Sequence, residues 1–176
     1  YTIYPGQRLR LYPASGKGAS TRTASHAPAA TRRPAVRPTQ TPPEPATAPP
    51  AKSSVDWRWP TEGQVLSRFA NGDPTRQGVD IAGRSGQAVR AAGDGVVVYS
   101  GSGLVGYGEL VIVKHDEQWL SAYGHNRSRL VSEGAKVKAG QQIAEMGSTG
   151  TARDMLHFEI RYEGKPVDPL QYLPRR

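Results

Sequence analysis

From Val55 to Arg176, short β-prone runs alternate with glycine turns, and no stretch sustains a 3.6-residue apolar period. The runs are GVDIA (78–82), QAVRAA (87–92), GVVVYSG (95–101), GELVIVKH (108–115), WLSAYGH (119–125), QQIAEMG (141–147) and LHFEIRY (156–162). Between them lie GRSG, AAGDG, GLVGYG, SEGAKVKAG and MGSTG. Glycine at such turns supplies the positive φ that reverses a strand without steric cost. Short strands closely spaced by turns predict an all-β fold, an antiparallel β-sandwich or open barrel, and exclude long helices.

The first 54 residues have a different character. They hold 10 of the 15 prolines, and TRRPAVRPTQTPPEPATAPP has almost no large apolar side chain. Such a run cannot bury enough surface to offset its ordering entropy, so residues 13–54 are expected to be a disordered, partly polyproline-like linker. Charge divides at the same place. Residues 1–54 carry 8 Lys+Arg and one Asp+Glu, against 15 and 14 in residues 55–176. The high isoelectric point therefore belongs to the linker, and the near-neutral domain gives no footprint for nucleic acid. Cysteine is absent, which excludes disulfides and thiolate-bound metals. No apolar run is long enough to span a membrane as a helix. The chain opens without Met at YTIYPGQRLRLYP, so a processed or truncated start is expected, with any targeting or lipid anchor upstream.

Chemistry concentrates in a few residues. Along RDMLHFEIRYEG (153–164), Leu156, Phe158 and Ile160 alternate with Met155, His157, Glu159 and Arg161. A strand here buries the first set and places Met155 and His157 side by side on the other face. Outside the linker, whose His26 is not a candidate ligand, the histidines are His115, His125 and His157. The accompanying carboxylate is Asp80. A catalytic zinc needs about three protein ligands and an open position. His115, at a strand end beside a turn, is expected to face solvent. Trp57 and Trp59, at i and i+2, predict one tryptophan plugging the base of the sandwich and one half exposed. Phe69 and Phe158 are expected in the core.

Residues 55–174 resemble the lysostaphin-type (LytM) zinc metallopeptidase domain, which cleaves peptidoglycan cross-links. That family carries, in order, His-x-Gly-x-Asp, a glycine-rich sandwich, Tyr-x-His, a Gly-Ser-Thr-Gly turn and His-Leu-His-Phe-Glu. Its first His, its Asp and the last His bind zinc, and the other two histidines assist catalysis. In this chain the first ligand position is Arg76, in RQGVD, while Asp80 is retained. Tyr-x-His reads YGH and keeps His125, GSTG stands at 147–150, and His-x-His reads MLH, with Met155 replacing the catalytic histidine and His157 kept. A guanidinium has no lone pair to give a metal, and a thioether accepts no proton. No metal, cofactor or catalytic residue is therefore expected. Two readings stay open for Arg76: its cation stands in for the metal against Asp80, or it lies on a solvent loop that follows Gly72, Asp73 and Pro74. A fainter likeness, between GQAVRAAGDGVVVYSG (86–101) and EGAKVKAGQQIAEMGS (133–148), resembles the halves of biotinyl and lipoyl carrier domains, but Lys136 and Lys138 lack their lysine-bearing tip.

The stretches WRWPTEGQVLSRF, KHDEQWLSAYGHN and LHFEIRYEGKPVDPLQYLP are similar to the NlpD-type group, degenerate LytM factors of Gram-negative envelopes. YTIYPGQRLRL resembles the last strand of a LysM module. The implied organisation is a LysM remnant at 1–12, the linker at 13–54 and a degenerate LytM domain at 55–176. The implied role is a non-catalytic activator of an N-acetylmuramyl-L-alanine amidase, which splits septal peptidoglycan during daughter-cell separation. The implied location is the periplasm, on an outer-membrane lipoprotein held by an upstream lipid anchor, with peptidoglycan bound through the missing LysM module. The partner groove is expected to be the old active site, formed by Arg76, Asp80, Tyr107, His125, Met155 and His157. Two other readings stay open: a zinc endopeptidase completed by His115 or an unforeseen group, and a passive peptidoglycan-binding module.

Overall fold

The computed structural model describes residues 52–176. The expected LysM remnant, and the linker up to residue 51, lie outside the described residues. The described chain forms β1 (Val65–Ser67), β2 (Val79–Ala82), β3 (Ala88–Arg90), β4 (Gly95–Gly101), β5 (Glu109–Lys114), β6 (Trp119–Arg129), β7 (Lys136–Val137), β8 (Gln142–Met146), β9 (Met155–Tyr162) and β10 (Lys165–Val167). A single 3-10 turn follows at Pro169–Gln171, capped by the Asp168 carboxylate, which accepts from the Leu170 N–H. All the strand pairings are antiparallel, and the main path runs β1-β2-β9-β6-β5-β4-β7. The all-β expectation therefore holds, and all seven expected runs contain a strand. β1, β7 and β10 were not anticipated. At two or three residues each, they are too short to display a period.

β6 organises the molecule. Its first half lies between β5 and β9, and its second half leaves β9 to pair with β8, which in turn pairs with β3. The changeover is at His125, whose φ is 63°. The register against β5 shifts there, from Val111↔Tyr123 to Glu109↔Asn126. A bulge of this kind inserts a residue, bends the strand and re-aims a side chain. It also resets the alternation of faces, and β6 continues past the expected end at residue 125.

One face of β9 supplies the core. Leu156, Phe158 and Ile160 are fully buried and pack with Val79 and Ile81 of β2, Val111 and Val113 of β5, and Tyr123 of β6. Trp57 is buried and meets Trp119 edge-on at 6.0 Å, while Trp59 is half-buried, as expected of the pair. Phe69 departs from expectation. It is only half-buried and lines a shallow pocket with Pro74 and Pro166, because it sits in the loop after β1 and not on a strand. His115 also departs. Its Nδ1–H donates to the Asp94 carbonyl at 2.7 Å, its Nε2 lies 2.7 Å from Ser121 Oγ, and its ring packs edge-on to Trp57 at 4.8 Å. The N-terminal lead-in brings Trp57 over it, so this strand-end histidine is covered instead of facing solvent.

Candidate functional site

The opposite face of β9 builds the site. Antiparallel register places Asp80 of β2, His157 of β9 and Gly124 of β6 in one row, and sets Glu159 opposite Ala122 in another. The small residues matter. A Cβ at Gly124 would lie 3.1 Å from the Tyr107 carbonyl oxygen, and one at Gly78 would lie 2.9 Å from Glu159 Cγ. The sheet face is thus left low enough for Tyr107 to reach down from the loop between β4 and β5.

Side chains then close a network. His157 Nδ1–H donates to Asp80 Oδ1 at 2.7 Å, and Nε2–H donates to Glu159 Oε1 at 3.1 Å. The Tyr107 hydroxyl donates to the same Glu159 oxygen at 2.8 Å. Arg161 Nε donates to Glu159 Oε2 at 2.6 Å, and a terminal guanidinium nitrogen reaches Gln77 Oε1 at 3.0 Å and the Tyr107 oxygen at 3.1 Å. Glu159 is completely buried. Two carboxylates thus face two cations, and the cluster is close to electroneutral.

Burial sets the direction of each titration, and the partners then decide it. Burial works against a charged His157, but the hydrogen bonds to Asp80 and Glu159 outweigh it and raise the imidazole to about 9. Burial works against an ionised Glu159 as well, yet His157 and Arg161 hold it below the ordinary carboxylate range. Burial and the Glu159 carboxylate together raise the Tyr107 phenol to about 12, so it stays a donor. His125 is buried and held below its ordinary value, chiefly by desolvation.

His125 is positioned by backbone. Its N–H donates to the Tyr107 carbonyl at 2.8 Å, its carbonyl accepts from Gly147 N–H at 3.1 Å, and its Nδ1–H donates to the Thr149 carbonyl at 2.8 Å. Thr149, of the GSTG turn, also accepts from the Glu109 N–H and donates through its hydroxyl to the Asn126 carbonyl. A left-handed conformation costs a non-glycine residue roughly 1–3 kcal/mol. These bonds hold it in place and bring the imidazole to 5.9 Å from the His157 ring, centroid to centroid.

Of the six residues expected to form the site, the structure brings together Asp80, Tyr107, His125 and His157. Met155 is half-buried one step along the same face of β9, opposite Ala82, with its N–H on the Gly147 carbonyl. Arg76 does not join them. The segment 70–76 turns back on itself through Asp73 N–H to Ala70 O and Arg76 N–H to Asp73 O, which leaves Arg76 exposed with its Nε on the Arg68 carbonyl at 3.2 Å. Asp80 pairs with His157 instead, and the arginine of the cluster is Arg161, on Glu159. Glu159, Arg161, Gln77 and Thr149 were missed. The strand alternation that pairs Met155 with His157 also names Glu159 and Arg161, and continuing it two steps would have found them.

Residues 74–169 match the sequence profile of peptidase family M23. The chain belongs to peptidase family M23. Within it, the chain is similar to the NlpD group. Over 120 residues it is 66% identical to the lipoprotein NlpD/LppB homolog of Pseudomonas aeruginosa, covering 68% of this chain and 40% of that protein. It is 58% identical to the murein hydrolase activator NlpD of Escherichia coli, over 68% of this chain and 32% of that protein. The chain thus spans less than half the length of these relatives. Among solved structures, a zinc-containing peptidase from Vibrio cholerae superposes with a TM-score of 0.61 at 29% identity, over 68% of this chain and 41% of that one.

Zinc is the metal that M23 membership implies, and the residues present do not fit it. A zinc-bound imidazole must be neutral with a free lone pair. Both His157 ring nitrogens instead lie within hydrogen-bond distance of carboxylates, which favour the protonated ring. Arg76 offers no lone pair and points elsewhere. Among the described residues no group of three or more His, Asp or Glu side chains is arranged to hold a metal ion.

Proposed function

We propose that this M23 chain is a non-catalytic activator of a peptidoglycan hydrolase, specifically an N-acetylmuramyl-L-alanine amidase acting in daughter-cell separation, and that it works in the cell envelope as part of a lipoprotein. The observation that carries this reading is the ion-pair network. Where a zinc peptidase keeps ligands, this chain holds His157 between two carboxylates and neutralises the buried Glu159 with Arg161. A site closed in this way offers a shaped, polar, rigid surface and no activated water. The naming of relatives as murein hydrolase activator and lipoprotein supports the role and the location.

Activation is then a population shift. The chain must bind the open form of the amidase more tightly than the blocked form, and a complete switch needs about 5.5 kcal/mol of difference. Tyr107, His125 and Met155 border the surface that would supply it, with Met155 adaptable to a partner helix. The test is dye release from labelled sacculi by this chain, by an envelope amidase, and by the two together. Release only from the mixture, lost in Met155→Asp, is the expected result. Release by this chain alone, abolished by chelator, would overturn it in favour of a zinc endopeptidase. Binding to sacculi without stimulation would leave a passive module.

A further inference from the structure

A second concave site lies away from the His157 cluster. It is a groove of about 1190 Å³ between the segment 59–64, the β2–β3 turn and the C-terminal residue. None of Asp80, Tyr107, His125, His157 and Glu159 lines it. Its floor is fixed: Gln87 Nε2 donates to Thr61 Oγ1 at 2.9 Å and to the Glu62 carbonyl at 2.8 Å, and Thr61 Oγ1 donates to the Ala88 carbonyl at 3.0 Å.

Its lining carries more positive than negative charge. Among the described residues Arg58, Arg127, Arg129 and Arg161 are each paired with a carboxylate. Seven others pair with none, and of these Arg84, Arg90 and Arg176 line this groove while Arg68, Arg76, Arg153 and Arg175 lie outside its lining. Arg90 reaches only the Gly140 carbonyl, at 3.1 Å. Arg176 is braced on the Thr61 and Gly63 carbonyls with its guanidinium 3.5 Å over the Trp59 ring. Those contacts orient the guanidinium, and Glu62 is the carboxylate whose charge acts on it. Arg84 is exposed, and its side chain makes no hydrogen bond among the described residues. Glu62 is the single carboxylate of the lining. Three guanidiniums over a rigid floor face one carboxylate, and the Arg84 fork is free to match a ligand carboxylate bidentately. The groove is larger than the roughly 300–1,000 Å³ of small-molecule sites, which favours a chain over a compact ligand.

We propose that this groove binds a carboxylate-bearing peptide strand, and that the strand is the acidic stem peptide of peptidoglycan. Only the source of the strand rests on the envelope reading above. The groove then holds the chain on its polymer while the His157 face meets the hydrolase.

The experiment is calorimetric titration of the full chain with soluble disaccharide-tetrapeptides released from sacculi by a muramidase, at low and high salt. Arg84→Glu and Arg84→Glu/Arg90→Glu are compared, each checked for an unchanged circular-dichroism spectrum. Arg84→Glu removes no side-chain bond and keeps the test valid if the double variant misfolds. Saturable binding, weakened about tenfold by Arg84→Glu, by amidating the ligand carboxylates and by added salt, is the expected result. No binding by the wild type, equal binding by Arg84→Glu, or binding only to phosphatidylglycerol vesicles would overturn the proposal. Amidase stimulation on the same samples separates the two readings: stem-peptide binding without stimulation sinks the activator role and leaves the groove standing. Stimulation without stem-peptide binding does the reverse.

Discussion

Two histidines in this domain have both ring nitrogens engaged, yet one is charged and the other neutral. His157 meets Asp80 and Glu159, and is raised to about 9. His115 meets the Asp94 carbonyl and the Ser121 hydroxyl, which also bonds Tyr123, and burial holds it below its ordinary value. Desolvation penalises the imidazolium at both positions. The acceptor decides the outcome: an ionised carboxylate repays the burial of a proton, and a neutral dipole does not. Bonds of similar length therefore make one histidine half of an ion pair and the other a neutral spacer beneath Trp57.

The largest test of that contrast is Glu159→Ala. It leaves Arg161 and His157 with a missing counter-charge beside a fully buried position, and the expected loss is about 3–5 kcal/mol in urea unfolding at neutral pH. Glu159→Gln keeps the shape and much of the hydrogen bonding. It should cost less and should pull the His157 titration, read by NMR, below about 9. An unchanged titration would mean that Asp80 alone charges the ring.

Dependence on pH comes next in size. The folded value of His157 lies above the unfolded value of about 6.5, so the folded state holds its proton more tightly. That stabilisation is complete below about pH 6.5 and is lost as pH rises to about 9, with an expected loss of about 2–3 kcal/mol. His115 runs the other way. Its stabilisation is present above about 6.5 and is lost as pH falls. Urea midpoints measured between pH 5 and 9 should pass through a maximum near neutrality, and Glu159→Gln should flatten the alkaline limb alone.

A smaller effect is expected on the neutral side. Ser121→Ala removes the hydroxyl that links His115 to Tyr123, while the Tyr123 hydroxyl keeps its bond from the Ala92 N–H at 2.8 Å. No buried charge is orphaned, so the cost should be about 1 kcal/mol, well under that of Glu159→Ala. Equal costs would erase the distinction between the two clusters.

The same contrast explains what could be read in the sequence. The strands were legible because alternation and glycine turns are local signals, as in LHFEIRY against its turns. Asp80, Tyr107, His125 and His157 were legible through motif order. Alternation puts Glu159 and Arg161 on the same face, but not inside a cluster, because Glu and Arg on a strand ordinarily face water. Their burial comes from Tyr107 descending from another loop, and from Gly78 and Gly124 clearing the face, which no local pattern encodes. His115 was misplaced for a like reason, since its cover is Trp57, more than fifty positions earlier in the chain.

Arg76 gives the smallest expected effect. Charge logic at the lost ligand position favours a guanidinium on Asp80, yet the turn over residues 70–76 folds the side chain back to Arg68. If the sequence logic held in solution, Arg76→Ala would strip Asp80 of a partner and shift His157. With the folded-back loop, it removes one exposed hydrogen bond, and the change should stay within about 0.5 kcal/mol, or roughly 1–2 °C in Tm, with the His157 titration unmoved. Hydrolase stimulation is then the sensitive readout. A loss of stimulation in a variant of unchanged stability would assign Arg76 to partner contact, because its side chain bonds the Arg68 carbonyl and Asp80 is already paired with His157.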